Sequence, residues 1–239
     1  MSRAVSKRKT AKFAVSQHCE NVILSSLTLV PSITVETIAA RSRAGTLLDL
    51  MSALPEILAH NARFVADKEY EPFLTSPLPN KRLVIITCMD TRLVELLPKA
   101  MGIHNGDVKM IKIAGAIVSH PFGSVMRSIL VAVYQLGAEE IAVVGHHGCG
   151  MTGLSPGDVL DKAHQRGIAP DTFTTLDHAG VDLRKWLTGF ESPQAGVLAS
   201  VDMIRKHPLL PKDIAVHGLV MHPETGRLDV LTTGEPGHR

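Results

Sequence analysis

The 239-residue chain has few of the residues and patterns that mark several classes of protein. Its three cysteines include no Cys-x-x-Cys pair, so neither a disulfide framework nor a thioredoxin-type redox site is indicated. No run of 18 apolar residues occurs, which argues against a membrane span. A formal net charge of +2 is too small to indicate nucleic acid or an anionic membrane as a partner. Few cysteines are typical of a reducing compartment, and we expect a cytoplasmic protein.

The first fifty residues differ in composition from the rest of the chain. They are rich in Ser, Thr, Arg and Lys, and no acidic residue precedes Glu20. We interpret residues 1–50 as an N-terminal extension that is disordered, or that lies upstream of a true start at Met51. A transit peptide has a similar basic and acid-poor composition, so organellar import is an alternative, and a secretory signal is the weakest interpretation. The folded domain is then residues 51–239, which is long enough to bury a core.

From residue 51 onward, helical and strand patterns alternate. Apolar spacing and turn residues predict helices over residues 53–68, 92–101, 121–136, 155–166, 178–190 and 193–206. Short apolar runs predict strands over residues 83–87, 108–113, 141–144, 214–220 and 227–231. Such alternation is typical of an α/β fold, here a single domain with a mainly parallel sheet flanked by helices.

Two short motifs each follow a predicted buried strand. The sequence Cys-Met-Asp-Thr-Arg begins at Cys88, and the sequence His-His-Gly-Cys begins at His146. Ligand sites in open α/β sheets lie beyond the carboxyl ends of the strands, so the motifs meet if their strands are neighbours. Cys88, His146 and Cys149 would then supply two thiolates and an imidazole. Three protein ligands are typical of a catalytic zinc, so the pattern predicts a zinc hydro-lyase or hydrolase.

Asp90 and Arg92 add an acid–base group to this ligand set. Arg92 can hold the carboxylate of Asp90 in a fork-like pair, which keeps it ionised and aimed. Asp90 could then accept a proton from a metal-bound water, or, if Arg92 releases it, act as a fourth ligand and close the site. A helix N-cap is a compatible role for Asp90. In isolation, Cys88 would be interpreted as a small buried apolar residue, and His147 is a rival ligand that we expect to lie outside the coordination sphere.

Together, the two motifs resemble those of the β-class carbonic anhydrases, and the similarity runs over about residues 51–231. The resemblance is closest to the compact bacterial branch. It implies one Zn²⁺ per subunit, an Asp–Arg dyad beside the metal-bound water, and a homodimer or larger homo-oligomer. It assigns the zinc ligands to Cys88, His146 and Cys149, and the dyad to Asp90 and Arg92.

The leading hypothesis is therefore carbonic anhydrase (carbonate dehydratase) activity, in which zinc-bound hydroxide reversibly converts CO₂ to bicarbonate and a proton. Gly115, Ala116 and Gly150 are the predicted wall of a small CO₂ pocket. Many members of the family have Asn-Ala-Gly where this chain has Ile-Ala-Gly ending at Gly115, so one polar side chain is missing there. Hydrolysis of COS or CS₂ on the same fold is one alternative, since both are linear molecules like CO₂. A non-catalytic zinc-binding module is the other, although the intact Asp–Arg pair argues against it.

Overall fold

A computed structural model describes residues 52–235 of the chain. The chain divides into two compact units, Met1–Glu69 and Tyr70–Arg239. The described part of the first unit contains helix α1, which spans Leu54–Ala66 and agrees with the predicted helix over residues 53–68. The extension predicted for residues 1–50 lies outside the described residues, and the domain boundary at residue 51 stays a prediction.

The second unit contains five strands and six further α-helices among its described residues. The strands are β1 (Leu83–Cys88), β2 (Val108–Ile113), β3 (Glu140–His146), β4 (Ala215–Met221) and β5 (Leu228–Thr232). The helices are α2 (Leu93–Ala100), α3 (Ser124–Leu136), α4 (Pro156–Gln165), α5 (Pro170–His178), α6 (Leu183–Leu187) and α7 (Pro193–Arg205). None of the helices within residues 52–235 is long and apolar enough to cross a membrane.

The strands form one sheet in the order β2-β1-β3-β4-β5. The first four strands are parallel, and β5 pairs antiparallel with β4 through a tight hairpin. The predicted α/β fold with a mainly parallel sheet is thereby confirmed. Because β1 and β3 are direct neighbours, the carboxyl ends of the two strands that precede the motifs lie side by side at one edge of the sheet.

Both faces of the sheet are covered, which explains why β1 and β3 are apolar along nearly their whole length. Val84 and Ile86 of β1 face a cluster that includes side chains of α3 and α7. Ile85 faces the opposite cluster, where it lies with side chains of α2 and with Cys88 and Cys149. The two cysteines therefore belong to the core on the α2 side of the sheet.

The helix predicted over residues 178–190 is wrong in its extent. The chain instead forms α5, which ends at His178, and the short helix α6. Gly180 has a φ of +82°, a left-handed conformation that ends a helix. Asp182 then caps α6, since its carboxylate accepts a hydrogen bond of 2.9 Å from the backbone N–H of Lys185. The start of α5 at Pro170 was also missed, although proline is common at the first position of a helix.

Helices α4 to α6 lie in a segment whose two ends, at Thr152 and Phe190, are held together. Thr152 and Phe190 form an isolated parallel bridge. The backbone N–H of Gly153 donates to the carbonyl of Phe190 at 2.9 Å, and the N–H of Phe190 donates to the carbonyl of Met151 at 3.1 Å. Since Met151 is two residues from Cys149, this clamp fixes the segment that carries the second motif.

Candidate metal centre

Three buried side chains converge at the edge where β1 and β3 end. Cys88 and His146 are the last residues of their strands, and Cys149 lies in the turn that follows β3. The two sulfurs and one imidazole nitrogen all lie within 4.8 Å of one another. The structure therefore brings together the three residues predicted as metal ligands, because their strands are parallel neighbours in the sheet.

The geometry of this cluster fits a zinc ion. The two sulfur atoms are 3.9 Å apart, and zinc–sulfur bonds of about 2.3 Å place two sulfurs about 3.8 Å apart at a tetrahedral zinc. The Nδ1 of His146 lies 2.9 Å from the backbone carbonyl of His147, which can only accept, so Nδ1 carries the hydrogen and donates. That contact leaves Nε2 free, and this buried nitrogen has no hydrogen-bond partner among residues 52–235. A carbonyl that orients a histidine through its other nitrogen is typical of metal ligation.

The two thiols differ in acidity. Burial raises the pKa of Cys88, but the nearby imidazole of His146 and the backbone N–H groups of Asp90 and Gly115 outweigh it and lower the pKa to about 7. Burial and the neighbouring Cys88 raise the pKa of Cys149 to about 11. The Cys88 thiol is thus easily ionised and the Cys149 thiol is not, as expected where two thiolates would lie side by side in a buried site. A divalent cation would relieve that repulsion, so its binding must release a proton from Cys149.

Arg92 holds the carboxylate of Asp90 beside this cluster. The Nε and Nη2 of Arg92 donate to the two carboxylate oxygens at 3.0 and 2.9 Å, which is the predicted fork-like geometry. The guanidinium thereby lowers the pKa of Asp90 to about 2. Arg92 also donates to the carbonyl of Gly148 at 3.0 Å. The Oδ2 of Asp90 lies 3.7 Å from the free Nε2 of His146, so an ionised carboxylate stands next to the ligand cluster.

Sequence analysis missed one charged residue near this edge. Lys112 lies on β2, directly opposite Thr87 of β1. Its ammonium nitrogen is buried and has no hydrogen-bond partner in the described part of the chain. Burial lowers the pKa of Lys112, while the negative charges of Cys88 and Asp90 act in the opposite direction. Its place one residue before the end of β2 is visible in the sequence, but its position opposite Thr87 depends on the pairing of β1 with β2, which the sequence does not specify.

Two of the three small residues predicted to line a pocket, Gly115 and Gly150, lie beside the ligand cysteines, whereas Ala116 packs in the cluster on the opposite face of the sheet. Gly115 and Ala116 are buried in a short 3₁₀ turn directly after β2. The backbone N–H of Gly115 helps to stabilise the Cys88 thiolate, whereas Gly150 is exposed in the turn after Cys149. Their role as the wall of a substrate pocket stays a prediction.

We expect Gly115→Ala to destabilise the fold and Gly150→Ala to leave it unchanged. Gly115 has a φ of +65°, and a Cβ there would lie 2.8 Å from Cε1 of Phe190. Left-handed strain and overpacking together cost about 2–4 kcal/mol. A Cβ at Gly150 would meet no atom within 4 Å. Denaturant unfolding of both variants tests this pair, and equal stability of the two would show that the turn at Gly115 tolerates a side chain.

Comparison with known proteins agrees with this geometry. The carbonic anhydrase family profile matches residues 83–228 of the chain. The crystal structure of β-carbonic anhydrase isoform I from Trichomonas vaginalis superimposes with a TM-score of 0.69 and 36% sequence identity, over 77% of this chain and 100% of that one. This chain belongs to the β-class carbonic anhydrase family. A buried group of two cysteines and a histidine is typical of the zinc site of that family.

Two relatives illustrate the range of activities assigned to similar sequences. The Bacillus subtilis (strain 168) protein named "Putative carbonic anhydrase YvdA" is 60% identical over 187 residues, which is 78% of this chain and 95% of YvdA. A carbon disulfide hydrolase of Acidianus sp. (strain A1-3) is 33% identical over 162 residues, which is 62% of this chain and 76% of that protein. Family membership thus fixes the type of site and leaves its substrate to be argued.

Proposed function

We propose that the protein catalyses the reversible hydration of CO₂ to bicarbonate and a proton, with zinc held by Cys88, His146 and Cys149. The observation that carries this proposal is the buried cluster of two sulfurs and a free imidazole nitrogen beside an ionised carboxylate. Three protein ligands leave one coordination position for a small reactant. When bound, zinc supplies a Lewis acid that lowers the pKa of water.

Asp90 is the acceptor that orients the reacting water in this proposal. Because Arg92 lowers the pKa of Asp90 to about 2, the carboxylate does not keep a proton at neutral pH. Its Oδ2 therefore accepts a hydrogen bond from the water and does not store the proton that the reaction releases. That proton passes to solvent or buffer. The role of Arg92 is to hold both carboxylate oxygens in place, which a fork-shaped guanidinium does well.

The apolar surroundings of the centre suit CO₂, which is uncharged and has no hydrogen to donate. Cys88 and Cys149 share a cluster with Leu93 of α2, and Met151 and Phe190 pack against it. Apolar walls exclude bulk water and leave few polar groups to compete for the substrate.

We further propose that the protein acts in the cytoplasm as a homodimer or larger homo-oligomer. Oligomers are expected from the family resemblance. The apolar side chains of α1 also support association, since Leu54, Ile57 and Val65 are 58%, 57% and 54% exposed. Light scattering coupled to size exclusion tests the oligomeric state, and a monomer at micromolar concentration would contradict it.

Stopped-flow CO₂ hydration tests the main proposal. We expect rapid hydration over about pH 6.5–9 by protein that carries about one zinc per subunit. Chelation should abolish the activity, and stoichiometric zinc should restore it. Fully zinc-loaded protein without hydration at any of these pH values would contradict the proposal.

Hydrolysis of CS₂ or COS is a second candidate, favoured by the similarity to a carbon disulfide hydrolase. Both substrates are linear and uncharged, so they would use the same centre. Release of H₂S from either substrate, measured on the same zinc-loaded sample, separates the candidates. H₂S release without CO₂ hydration would favour this second function.

A further inference from the structure

A second group of ligand-type side chains lies next to the metal centre, at the ends of β3 and β4. We call it the His–His–Asp cluster; its members are His147, His222 and Asp229, with Arg227 beside them. His147 and His222 directly follow β3 and β4, and their rings stack with centroids 4.1 Å apart. Asp229 lies on β5, which pairs with β4. The β4–β5 hairpin therefore brings a carboxylate against two stacked imidazoles.

Both imidazoles direct the same nitrogen towards one carboxylate oxygen. The Nε2 of His222 is 2.8 Å from Oδ2 of Asp229, and the Nε2 of His147 is 3.9 Å from it. The Nε2 of His147 is a buried atom without a hydrogen-bond partner in the described part of the chain. The three ligand atoms all lie within 4.8 Å of one another.

We propose that His147, His222 and Asp229 form a second site for a divalent transition metal such as Zn²⁺, separate from the Cys–His–Cys centre. Bonds of about 2.0–2.1 Å place two ligand atoms about 3.3 Å apart at a tetrahedral ion. The observed separations of 2.8 and 3.9 Å from Asp229 lie on either side of that value. Shifts of about half an ångström would therefore bring each ring nitrogen to that distance from Oδ2 of Asp229.

Arg227 occupies the place that the metal would take. Its Nη2 lies 2.8 Å from Nε2 of His222 and 3.3 Å from Oδ2 of Asp229, and its Nε lies 3.1 Å from Oδ1. A guanidinium can only donate and a carboxylate can only accept, so Nε2 of a neutral His222 can form a hydrogen bond with one of these two groups and not with both. In the tautomer with its hydrogen on Nδ1, the lone pair of Nε2 is available to Arg227 or to a metal. The side chain of Arg227 is 66% exposed and can move into solvent. The metal and Arg227 thus compete for the same two acceptors.

The chemistry of this site differs from that of the first centre. Two neutral imidazoles and one carboxylate suit Zn²⁺, Co²⁺ or Ni²⁺, whereas two thiolates neutralise a divalent ion and bind it more tightly. Because of this difference and the competition from Arg227, the second metal binds more weakly and exchanges with solution. The first site fills before the second as zinc is added.

Zinc titration of the one-zinc protein tests the proposal. Equilibrium dialysis at about pH 8, where imidazole is neutral, followed by elemental analysis counts bound zinc per subunit. We expect a second equivalent to bind in the wild-type protein. His222→Gln and Asp229→Asn should each weaken this second equivalent by at least about tenfold. Retention of the first equivalent in each variant shows that the sheet edge is intact.

Arg227→Ala distinguishes a metal site from a structural clasp. Removal of the competing guanidinium should raise the affinity for the second zinc by about two- to fivefold; the gain is small because a surface ion pair is weak. If these side chains only stabilise the β4–β5 hairpin and bind no metal, Arg227→Ala gives no such gain. His104→Gln is the matched control, because His104 also lies beside a carboxylate, 3.8 Å from Asp107, without a second imidazole. The His104→Gln variant should bind both zinc equivalents with the affinity of the wild type.

Two outcomes would overturn the proposal. The first is saturation of the wild-type protein at one zinc per subunit, and the second is binding of a second zinc with the same affinity in the His222, Asp229 and His104 variants. Loss of CO₂ hydration in the wild type would bear on the proposed function and leave this count unaffected.

Discussion

Cys149→Ser is expected to lose zinc and CO₂ hydration together. The sulfur of Cys149 lies 3.9 Å from that of Cys88 in a buried site. A serine hydroxyl ionises far less readily than a thiol, so the variant would offer one thiolate and one imidazole. Two ligands do not hold zinc against dialysis. We expect bound zinc to fall below about a tenth of an equivalent and hydration to fall to the uncatalysed rate.

Cys19→Ser is the control for this experiment. Cys19 lies outside the described residues and outside both motifs. The Cys19 variant should keep one zinc and full activity, which shows that a missing thiol is harmful only at the centre. Stoichiometric zinc in purified Cys149→Ser protein, measured by elemental analysis, would show that the ligand assignment is wrong.

The sequence was informative about the centre because its signals are local. An apolar run followed by a ligand residue marks a strand end, and parallel strands place such ends at one edge. This reasoning brought Cys88 and His146 together across two separate strands. Both residues turned out to be the last residue of their strand and not the first residue beyond it, a difference of the usual size for strand boundaries.

Features that depend on register or on hairpin pairing could not be predicted in the same way. Lys112 and Asp229 reach their neighbours across strands, and their partners are set by pairing that a single sequence does not specify. His222 is the exception, because it directly follows β4 as His147 follows β3. The strand-end rule applied to β4 would have found it. The helix predicted over residues 178–190 failed for another reason: it left out the helix start at Pro170 and extended through Gly180, whose left-handed conformation ends a helix.

Arg92→Ala is expected to lower kcat/KM for CO₂ hydration by about a hundredfold while zinc is retained. We expect the loss because the Asp90 carboxylate would no longer be held in position, and not because its charge would change. Without Arg92, the pKa of Asp90 rises from about 2 towards its ordinary value of 3.8, which is still far below neutral pH. The carboxylate remains ionised, but it loses the two hydrogen bonds that aim it. Stopped-flow hydration at pH 7–9, with zinc measured on the same sample, gives the result.

Two further variants separate the orienting effect of Arg92 from the effect of its positive charge. Arg92→Lys keeps the positive charge but cannot form two parallel hydrogen bonds, so we expect it to recover only a small part of the activity. Arg82→Ala removes an arginine that pairs with Glu139 at the opposite end of the strands, and it should be fully active. If Arg92→Lys were as active as the wild type, charge alone would suffice. If Arg92→Ala lost its zinc, the hydrogen bond to Gly148 would be needed to hold the turn that carries Cys149, and Arg92 would act on the metal centre and not on the water.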